Sequence, residues 1–324
     1  MAGRRVGVIG SFVWDIIHGR DPMQHPVEEW GGITYALGAF DASLGDDWQM
    51  VPMVKVGYDL APQARNFTTG LRRVAADAGP IEVPHPNNRV TLHYQSAERR
   101  CEHLTGGVPG WNWLGLKPLL AGVDALYINL ISGFELDLET AQLIRAHFYG
   151  PIYCDLHSLL LAVQPDGART LQPLPNPAAW CRCFDIIQVN EDEMQMMATD
   201  PLALAAIAMG AGVSVLNVTM GARGVAYFAA PGFDTLADLN RDSLGTSSGA
   251  VRTALHPAAP TRDLGGGDPT GCGDVWGATY FSRMLAGDSL EAAMGAASAA
   301  AARNVDHRGA TGLAQHLRGE LSIR

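Results

Sequence analysis

The chain has 324 residues, of which 47% are hydrophobic and 17% charged, and its formal net charge at pH 7 is −10. That length suffices for one large α/β domain or two small ones. Basic residues cluster only as short pairs, which disfavours a nucleic-acid partner, and no apolar run reaches the ~20 residues of a membrane span. Five cysteines without a framework spacing favour reduced thiols, so we expect a cytoplasmic protein.

The first apolar run, residues 5–10, ends in glycine and predicts a buried strand. Such a start is typical of dinucleotide-binding folds, but residues 7–12 lack the G-x-G-x-x-G spacing. A Walker A loop is excluded too, because Lys55 and Lys117 are the only lysines and neither follows a glycine loop. Any ATP site in this chain therefore works without a P-loop.

An acid, Asp15, follows the first strand within a short apolar alternation. The elements predicted next are a helix from Gly31-Gly32 to about residue 44, a strand over 51–56 and an amphipathic helix over 65–79. Between residues 84 and 113 the pattern changes, since residues 90–95 alternate like a half-buried antiparallel strand. No βαβ unit fits there, so a small separate β-sheet is expected.

From residue 123 onwards strands and helices alternate, which predicts a parallel sheet covered on both faces. Strands are expected over residues 125–129, 151–155, 186–190, 213–219 and 225–228. Four of these strands carry polar residues at or near their C-terminal ends: Asn129, Asp155, Asn190 and Thr219. Ligands bind at that edge of open α/β sheets, so these side chains indicate a site.

A glycine-rich loop with two carboxylates, residues 265–274, leads into a predicted helix over 275–285. Helix N-termini have unpaired N–H groups and partial positive charge, and Gly271 and Gly273 let an anion approach the backbone closely. Asp274 would compete with that anion unless its task is to accept a proton beside it. This layout is the one that a phosphoryl transferase needs.

The segment 268–274 resembles the C-terminal signature of the PfkB (ribokinase-like) carbohydrate and nucleoside kinases, D-T-x-G-A-G-D. Pro269 replaces Thr and Cys272 replaces Ala, and neither change removes a backbone donor that matters. Residues 190–193 resemble the N-x-x-E motif of this family, and residues 219–225 match its T-x-G-x-x-G turn. The resemblance covers nearly the whole chain in the right order.

The resemblance implies a three-layer α/β/α ribokinase-like fold with a mostly parallel central sheet, as a single domain over residues 1–324. A small β-sheet lid would be drawn from roughly 12–35 and 85–113. The region 156–180 matches least, because Asp155 is not followed by the D-x-N-x-R pattern of many members. The family's substrate contacts are therefore not carried over to that region, and whether it touches the substrate is left open.

The resemblance also implies roles for individual residues. Asp274 would be the general base, beside the N–H groups of Gly271, Cys272 and Gly273. Nucleotide contacts are implied for Asn190, Glu193, Thr219, Gly221, Gly224 and Asn304. Glu193 would order water around Mg²⁺, and at the same time Asn190 could cap the following helix while residues 191–193 complement its dipole. Acceptor contacts are implied for Asp15, Gly31, Gly32, Asn129 and Arg89, and lid contacts are open for Gln95, Arg99 and Arg100.

The favoured function is ATP- and Mg²⁺-dependent phosphorylation of a hydroxymethyl group on a small sugar. A nucleoside kinase is the first alternative, since Pro269, Ala36 in place of a hydroxyl-binding Asn, and Trp14 and Trp30 would suit a stacked base. A catalytically inactive regulatory relative is the second alternative, and the intact Asp274 argues against it. The expected partners are a small-molecule sugar or nucleoside and a second copy that pairs through the lid.

Overall fold

The computed structural model describes residues 3–18, 25–94, 100–236, 239–241, 244, 249–262 and 267–321. The strands are β1 (Arg4–His18), β2 (Val27–Gly32), β3 (Trp48–Gly57), β4 (Ile81–Val83), β5 (Asn88–Tyr94), β6 (Arg100–Thr105), β7 (Ala125–Asn129), β8 (Ile152–Asp155), β9 (Leu161–Val163), β10 (Arg169–Leu171), β11 (Ile186–Asn190), β12 (Val215–Thr219), β13 (Val225–Ala229) and β14 (Arg252–His256). The helices are α1 (Ile33–Ser43), α2 (Ala61–Thr69), α3 (Trp113–Leu120), α4 (Leu138–His147), α5 (Pro177–Cys181), α6 (Glu191–Met197), α7 (Pro201–Gly210), α8 (Cys272–Leu285), α9 (Leu290–Asn304) and α10 (Leu313–Leu317). Within these ranges no helix is long and apolar enough to span a bilayer.

The central sheet has the strand order β14-β13-β12-β11-β8-β7-β1-β3-β4. Neighbouring strands from β12 to β4 run parallel, whereas β13 and β14 are antiparallel additions at one edge. Strand β7 is apolar up to its last residue, Asn129, and buried throughout, as expected for a strand covered on both faces. This mixed α/β architecture with a mostly parallel sheet confirms the predicted fold class.

Helices cover both faces of the sheet, and successive residues of β7 show how. Tyr127 packs on one face against Phe40 of α1 and Phe281 of α8, with ring centroids 4.9 and 6.3 Å apart. Ile128 points to the opposite face, into a cluster that also contains Leu116 of α3 and Ile144 of α4. Because strand side chains alternate between faces, one apolar strand supplies both halves of the core.

One predicted element is wrong in its extent. Helix α2 ends at Thr69, and not near residue 79 as expected. The N–H of Gly70 closes the last turn, and the following residues run beside β3 instead, with Met50 N donating to Arg73 O (2.8 Å) and Ala75 N to Met50 O (2.9 Å). The apolar spacing seen in the sequence thus belongs to an extended segment packed on the sheet.

Strand β1 is long enough to serve two sheets. Its pairing with β3 ends at Ser11, and from Phe12 onwards it pairs antiparallel with β2 and then parallel with β5. Strand β6 completes this small sheet by pairing antiparallel with β5. A β9–β10 hairpin that was not predicted lies against β6, where Leu104 N donates to Gly167 O (2.8 Å).

Candidate active site

A cavity of about 300 Å³ lies between the C-terminal edge of the central sheet, the small sheet and the start of α8. Its lining residues come from these three regions: Val13, Asp15, Gly32, Tyr35, Val90, Leu92, Glu102, Ile131, Asp155, His157, Arg169, Gln188, Asn190, Glu193, Thr219, Pro269, Thr270, Gly271, Gly273 and Asp274. Most residues implied by the resemblance therefore converge on a single cavity.

Helix α8 presents its N-terminus to this cavity. Gly271 precedes the helix with φ 76°, and a Cβ there would lie 2.2 Å from Tyr35 Cδ1, so glycine is required on both grounds. Cys272 N donates to Pro269 O (3.1 Å). The N–H groups of Gly271 and Gly273 have no hydrogen-bond partner in the part of the chain that the structure describes. Of the three donors expected for an anion, these two are available.

Asp274, in the first turn of α8, is held from the sheet edge. Asn129 at the end of β7 donates its Nδ2–H to Asp274 Oδ1 (2.6 Å). Burial raises the pKa of Asp274, while the charge of His157 and the Asn129 hydrogen bond oppose that rise. Asn129 was expected to contact the acceptor, but the structure places it behind the carboxylate that it orients.

Glu193 and Asn190 form a capping box at the start of α6. Asn190 Oδ1 accepts from Glu193 N (2.9 Å), and Glu193 Oε2 accepts from Asn190 N (2.7 Å). Glu193 is 3% exposed and still lines the cavity. Both carboxylate oxygens are hydrogen-bonded, so Glu193 suits Mg²⁺ held through water better than direct coordination. The described residues contain no cluster of three or more ligands that could hold a metal directly.

His157 was not identified from the sequence, because it lies in the region that resembles the family least. Its side-chain Nδ1 is 2.7 Å from Glu193 Oε1, and its backbone N–H donates to Asp155 Oδ1 (3.1 Å). Partial burial lowers the pKa of His157, but the charge and hydrogen bond of Glu193 outweigh it and raise the value to about 9. At neutral pH the cavity therefore contains an imidazolium ion.

Asp155 and Gln188 connect this histidine to the helix terminus. Gln188 Nε2 donates to Asp155 Oδ2 (2.8 Å) and to Gly273 O (3.1 Å). Burial, then the nearby charges of Glu193 and Asp274, raise the pKa of Asp155 to about 8, against the opposing charge of His157. One polar network therefore joins three strand ends to the loop that begins α8.

Asp15 lines the cavity from the small sheet and is 7% exposed. It sits on β1 across from β2, and a Cβ on Gly31 would lie 1.8 Å from Asp15 Oδ2. Gly32 has φ 61° and lines the cavity directly. The glycine pair thus leaves room for the carboxylate at the cavity wall.

Trp14 and Trp30, which would suit a stacked nucleoside base, do not line the cavity. They contact each other edge to face, with centroids 5.1 Å apart, and Trp14 Nε1 donates to Glu28 Oε2 (3.1 Å). On β1 the neighbours Val13 and Asp15 face the cavity, and alternation directs Trp14 to the other side. The tryptophans therefore give no support to a stacked base.

Several other expected contacts lie outside the cavity. Arg89 Nη2 donates to Asp59 Oδ2 (2.6 Å), because Arg89 alternates with the cavity-lining residues of β5. Asn304 is fully buried and donates to Thr270 O (2.9 Å), so it supports the loop from behind. Gly224 has φ 95° and a Cβ there would lie 2.1 Å from His256 O, which gives it a structural role. The residues outside the cavity are Arg89, Gly31, Asn129, Cys272, Gly221, Gly224 and Asn304.

Gln95, Arg99, Gly265 and Gly266 lie outside the described residues, as does the side chain of Arg100. Two cavity-lining charges that were not considered are Glu102 and Arg169. Arg169 comes from β10, inside the region to which no family contacts were carried over, and only the folded structure brings it to the cavity.

The architecture is a ribokinase-like fold. Residues 162–316 match the pfkB family carbohydrate kinase model, so a domain of this family is present there and the predicted resemblance is confirmed. Comparison with curated protein sequences gives no significant match.

Solved structures support the same fold at low identity. A pyrophosphate-dependent kinase of the ribokinase family, in complex with sulfate, shares 15% identity over 94% of this chain and 96% of its own, with a TM-score of 0.68. Ribokinase from Thermotoga maritima shares 18% identity over 98% and 99%, with a TM-score of 0.63. A Burkholderia thailandensis nucleoside kinase in complex with inosine shares 16% identity over 97% and 95%, with a TM-score of 0.67.

Proposed function

We propose that this protein is an ATP-dependent kinase that phosphorylates a hydroxymethyl group of a small sugar, with Asp274 as the general base. One observation carries the proposal: Asp274 lies beside the available N–H groups of Gly271 and Gly273, in the same cavity as Asp15. An anion site, a base and an acceptor contact are the parts that phosphoryl transfer requires. A nucleoside acceptor is the alternative that shares all these parts.

In the proposed reaction Asp274 accepts the hydroxyl proton of the acceptor while the acceptor oxygen bonds to the terminal phosphorus of the donor. The bond between that phosphorus and its bridging oxygen breaks, and ADP leaves with the bridging oxygen. A base at this position is typically worth ~10²–10⁴-fold in rate. Gly271 and Gly273 would donate to the transferred group, and His157 would place positive charge near it. Mg²⁺ held through water by Glu193 would neutralise phosphate charge.

Pyrophosphate is a second candidate donor. The cavity ends at Thr219 and takes in neither Gly221, Gly224 nor Asn304, from which nucleotide contacts were expected. Two of the similar structures are described as pyrophosphate-dependent kinases of the ribokinase family. The described lining of this cavity contains the residues proposed for phosphoryl transfer but none of these three residues, which supports a small donor as the second candidate.

A donor and acceptor screen tests the proposal. D-ribose, inosine and myo-inositol are each incubated with ATP or pyrophosphate and Mg²⁺, and the phosphorylated acceptor is measured by mass spectrometry. We expect transfer to at least one acceptor, with ATP preferred. Transfer from pyrophosphate alone would replace ATP as the donor, and no transfer from either donor, also over a wider set of sugars and nucleosides, would refute a kinase.

Cys272→Ala is expected to leave kcat and both KM values within about twofold of wild type. The Cys272 thiol faces away from the cavity, with Sγ 3.4 Å from Ala301 O and 3.3 Å from Asn304 Nδ2, and the backbone is unchanged by the substitution. Steady-state kinetics and a thermal melt check this. A large loss of kcat in a variant that melts like wild type would show that the sulfur takes part in the reaction.

Gly31→Ala is expected to raise the acceptor KM about tenfold or more with little change in the donor KM. The added methyl group would displace the Asp15 carboxylate, and a hydrogen bond to a charged group is worth about 1.5–3 kcal/mol. Gly79→Ala is the matched control, because a Cβ there meets no atom within 4 Å. Equal acceptor KM values in the two variants would remove Asp15 from the acceptor site.

A further inference from the structure

Two charged residues of opposite sign meet at the acceptor end of the cavity. Arg169 on β10 and Glu102 on β6 both line it, and Arg169 Nη1 lies 3.7 Å from Glu102 Oε2. That separation is an ion-pair distance. The cavity lining thus contains a hydrogen-bond donor and an acceptor side by side, on elements that neither the family signature nor the proposed mechanism uses.

The guanidinium is fixed in place by the core. The Arg169 side chain is 4% exposed, and its Nη2 donates to Ile131 O (3.2 Å) and Ser132 O (3.4 Å). The loop that carries these two carbonyls is itself held by the buried Glu135, which accepts from Ser132 N (2.5 Å) and Gly133 N (2.9 Å). A planar guanidinium held in this way loses little further freedom when it binds a ligand.

The β9–β10 hairpin brings Arg169 to Glu102. Ala168 pairs antiparallel with His103, directly beside the two charged residues. Gly167 turns the hairpin with φ 89°, and a Cβ there would lie 2.8 Å from Leu104 O. Only glycine fits this close approach, so the local sequence is suited to hold β10 against the small sheet.

We propose that Arg169 and Glu102 recognise adjacent hydroxyl groups of a neutral, polyhydroxylated acceptor. This inference rests on the proposed function for the identity of the acceptor end. Arginine only donates hydrogen bonds and an ionised carboxylate only accepts them, whereas a hydroxyl does both. One hydroxyl would donate to Glu102 while its neighbour accepts from Arg169. An acceptor carboxylate would attract Arg169 but be repelled by Glu102 and Asp15.

Direct binding tests this pair without any donor. Isothermal titration measures D-ribose, inosine, myo-inositol and D-gluconate against the wild-type protein and against Arg169→Met, Glu102→Gln and Arg72→Met. Arg72 is an exposed surface arginine paired with Glu320, so its variant controls for the loss of one charge. We expect a neutral ligand to bind more tightly than gluconate, and both cavity variants to weaken it at least about tenfold. The control should bind as the wild type does.

Arg169→Lys keeps the charge but loses the planar fork, and it should also bind weakly if the geometry matters. If a thermal melt shows that Arg169→Met does not fold, Arg169→Lys replaces it in the binding experiment. Wild-type affinity in both cavity variants, tighter binding of gluconate, or no binding of any of the four ligands would overturn the inference. Binding that depends on Arg169 without transfer from ATP or pyrophosphate would instead refute the proposed kinase and leave the recognition pair intact.

Discussion

Asp274→Asn is expected to lower kcat at least ~10²-fold while the donor KM changes little. The amide keeps the size of the side chain, and its oxygen can still accept from Asn129 Nδ2, so the start of α8 should remain in place. What is lost is the ability to take the acceptor proton. Because that proton is transferred only as the reaction proceeds, the loss should appear in kcat rather than in donor binding.

Asp46→Asn is the control for this experiment, since the Asp46 side chain is 96% exposed and does not line the cavity. Both variants are compared by steady-state kinetics on the best acceptor and by donor titration without acceptor. Near-wild-type kcat in Asp274→Asn would remove Asp274 as the base. If donor affinity fell together with kcat, the Asp274 carboxylate would be needed to order the anion site rather than to accept the proton.

The edge of the sheet could be predicted because parallel strands end together. Asn129 pairs in register with Asp155, and Asn190 with Thr219, so side chains distant in sequence become neighbours. The apolar runs identify the strands, and the first polar residue after each run identifies the edge. Three of the four residues line the cavity, and the fourth, Asn129, reaches it through Asp274.

Which face of a strand meets the ligand could not be predicted in the same way. Arg89 and Val90 are adjacent, and only the pairing of β5 with β1 decides that Val90 lines the cavity while Arg89 bonds to Asp59. Trp14 is turned away for the same reason. A shift of one residue would reverse every side chain, and alternation alone does not reveal which phase faces the site.

Contacts that depend on tertiary placement were beyond reach of the sequence. Arg169 reaches the cavity only because a short hairpin docks on β6, and His157 only because a 3₁₀ turn follows β8. Neither element has a periodicity that distinguishes it from a surface loop. A histidine two residues after a strand-end acid was visible, but nothing in the sequence placed Glu193 beside it.

The charges of the cavity explain why the cationic side chains of His157 and Arg169 are important for ligand binding. Its described lining contains five carboxyl groups, those of Asp15, Glu102, Asp155, Glu193 and Asp274, against the two cations His157 and Arg169, so it stays net negative even with Asp155 protonated. The proposed polyphosphate donor would enter this site against net negative charge, and the electrostatic repulsion is strong where water is excluded. The N-terminus of α8 and bound Mg²⁺ would supply part of the compensation, and His157 is the side-chain cation at the donor end.

His157→Gln is therefore expected to raise the donor KM and to lower kcat/KM about tenfold or more, since a charge-assisted hydrogen bond is worth about 1.5–3 kcal/mol. Glutamine can still donate to Glu193 but carries no charge. His147→Gln on α4 is the control, because His147 bonds only to Leu143 O and contacts Trp113 among the described residues. Kinetics of the His157 variant that match those of the control would exclude an electrostatic role.

The pH dependence of stability gives a second readout that does not require turnover. The pKa of His157 in the folded protein, about 9, lies above the ordinary value of 6.5, so the folded state holds this proton more tightly than the unfolded chain. Its stabilisation is complete below about pH 6.5 and is lost as the pH rises through 9. The pKa of Asp155 is raised from 3.8 to about 8, so its contribution also lowers the stability of the folded protein as the pH rises, beginning at a lower pH than that of His157. We expect the wild-type Tm to fall between pH 6.5 and 9, and His157→Gln to flatten that fall. An equally steep fall in the variant would show that the imidazolium does not stabilise this network.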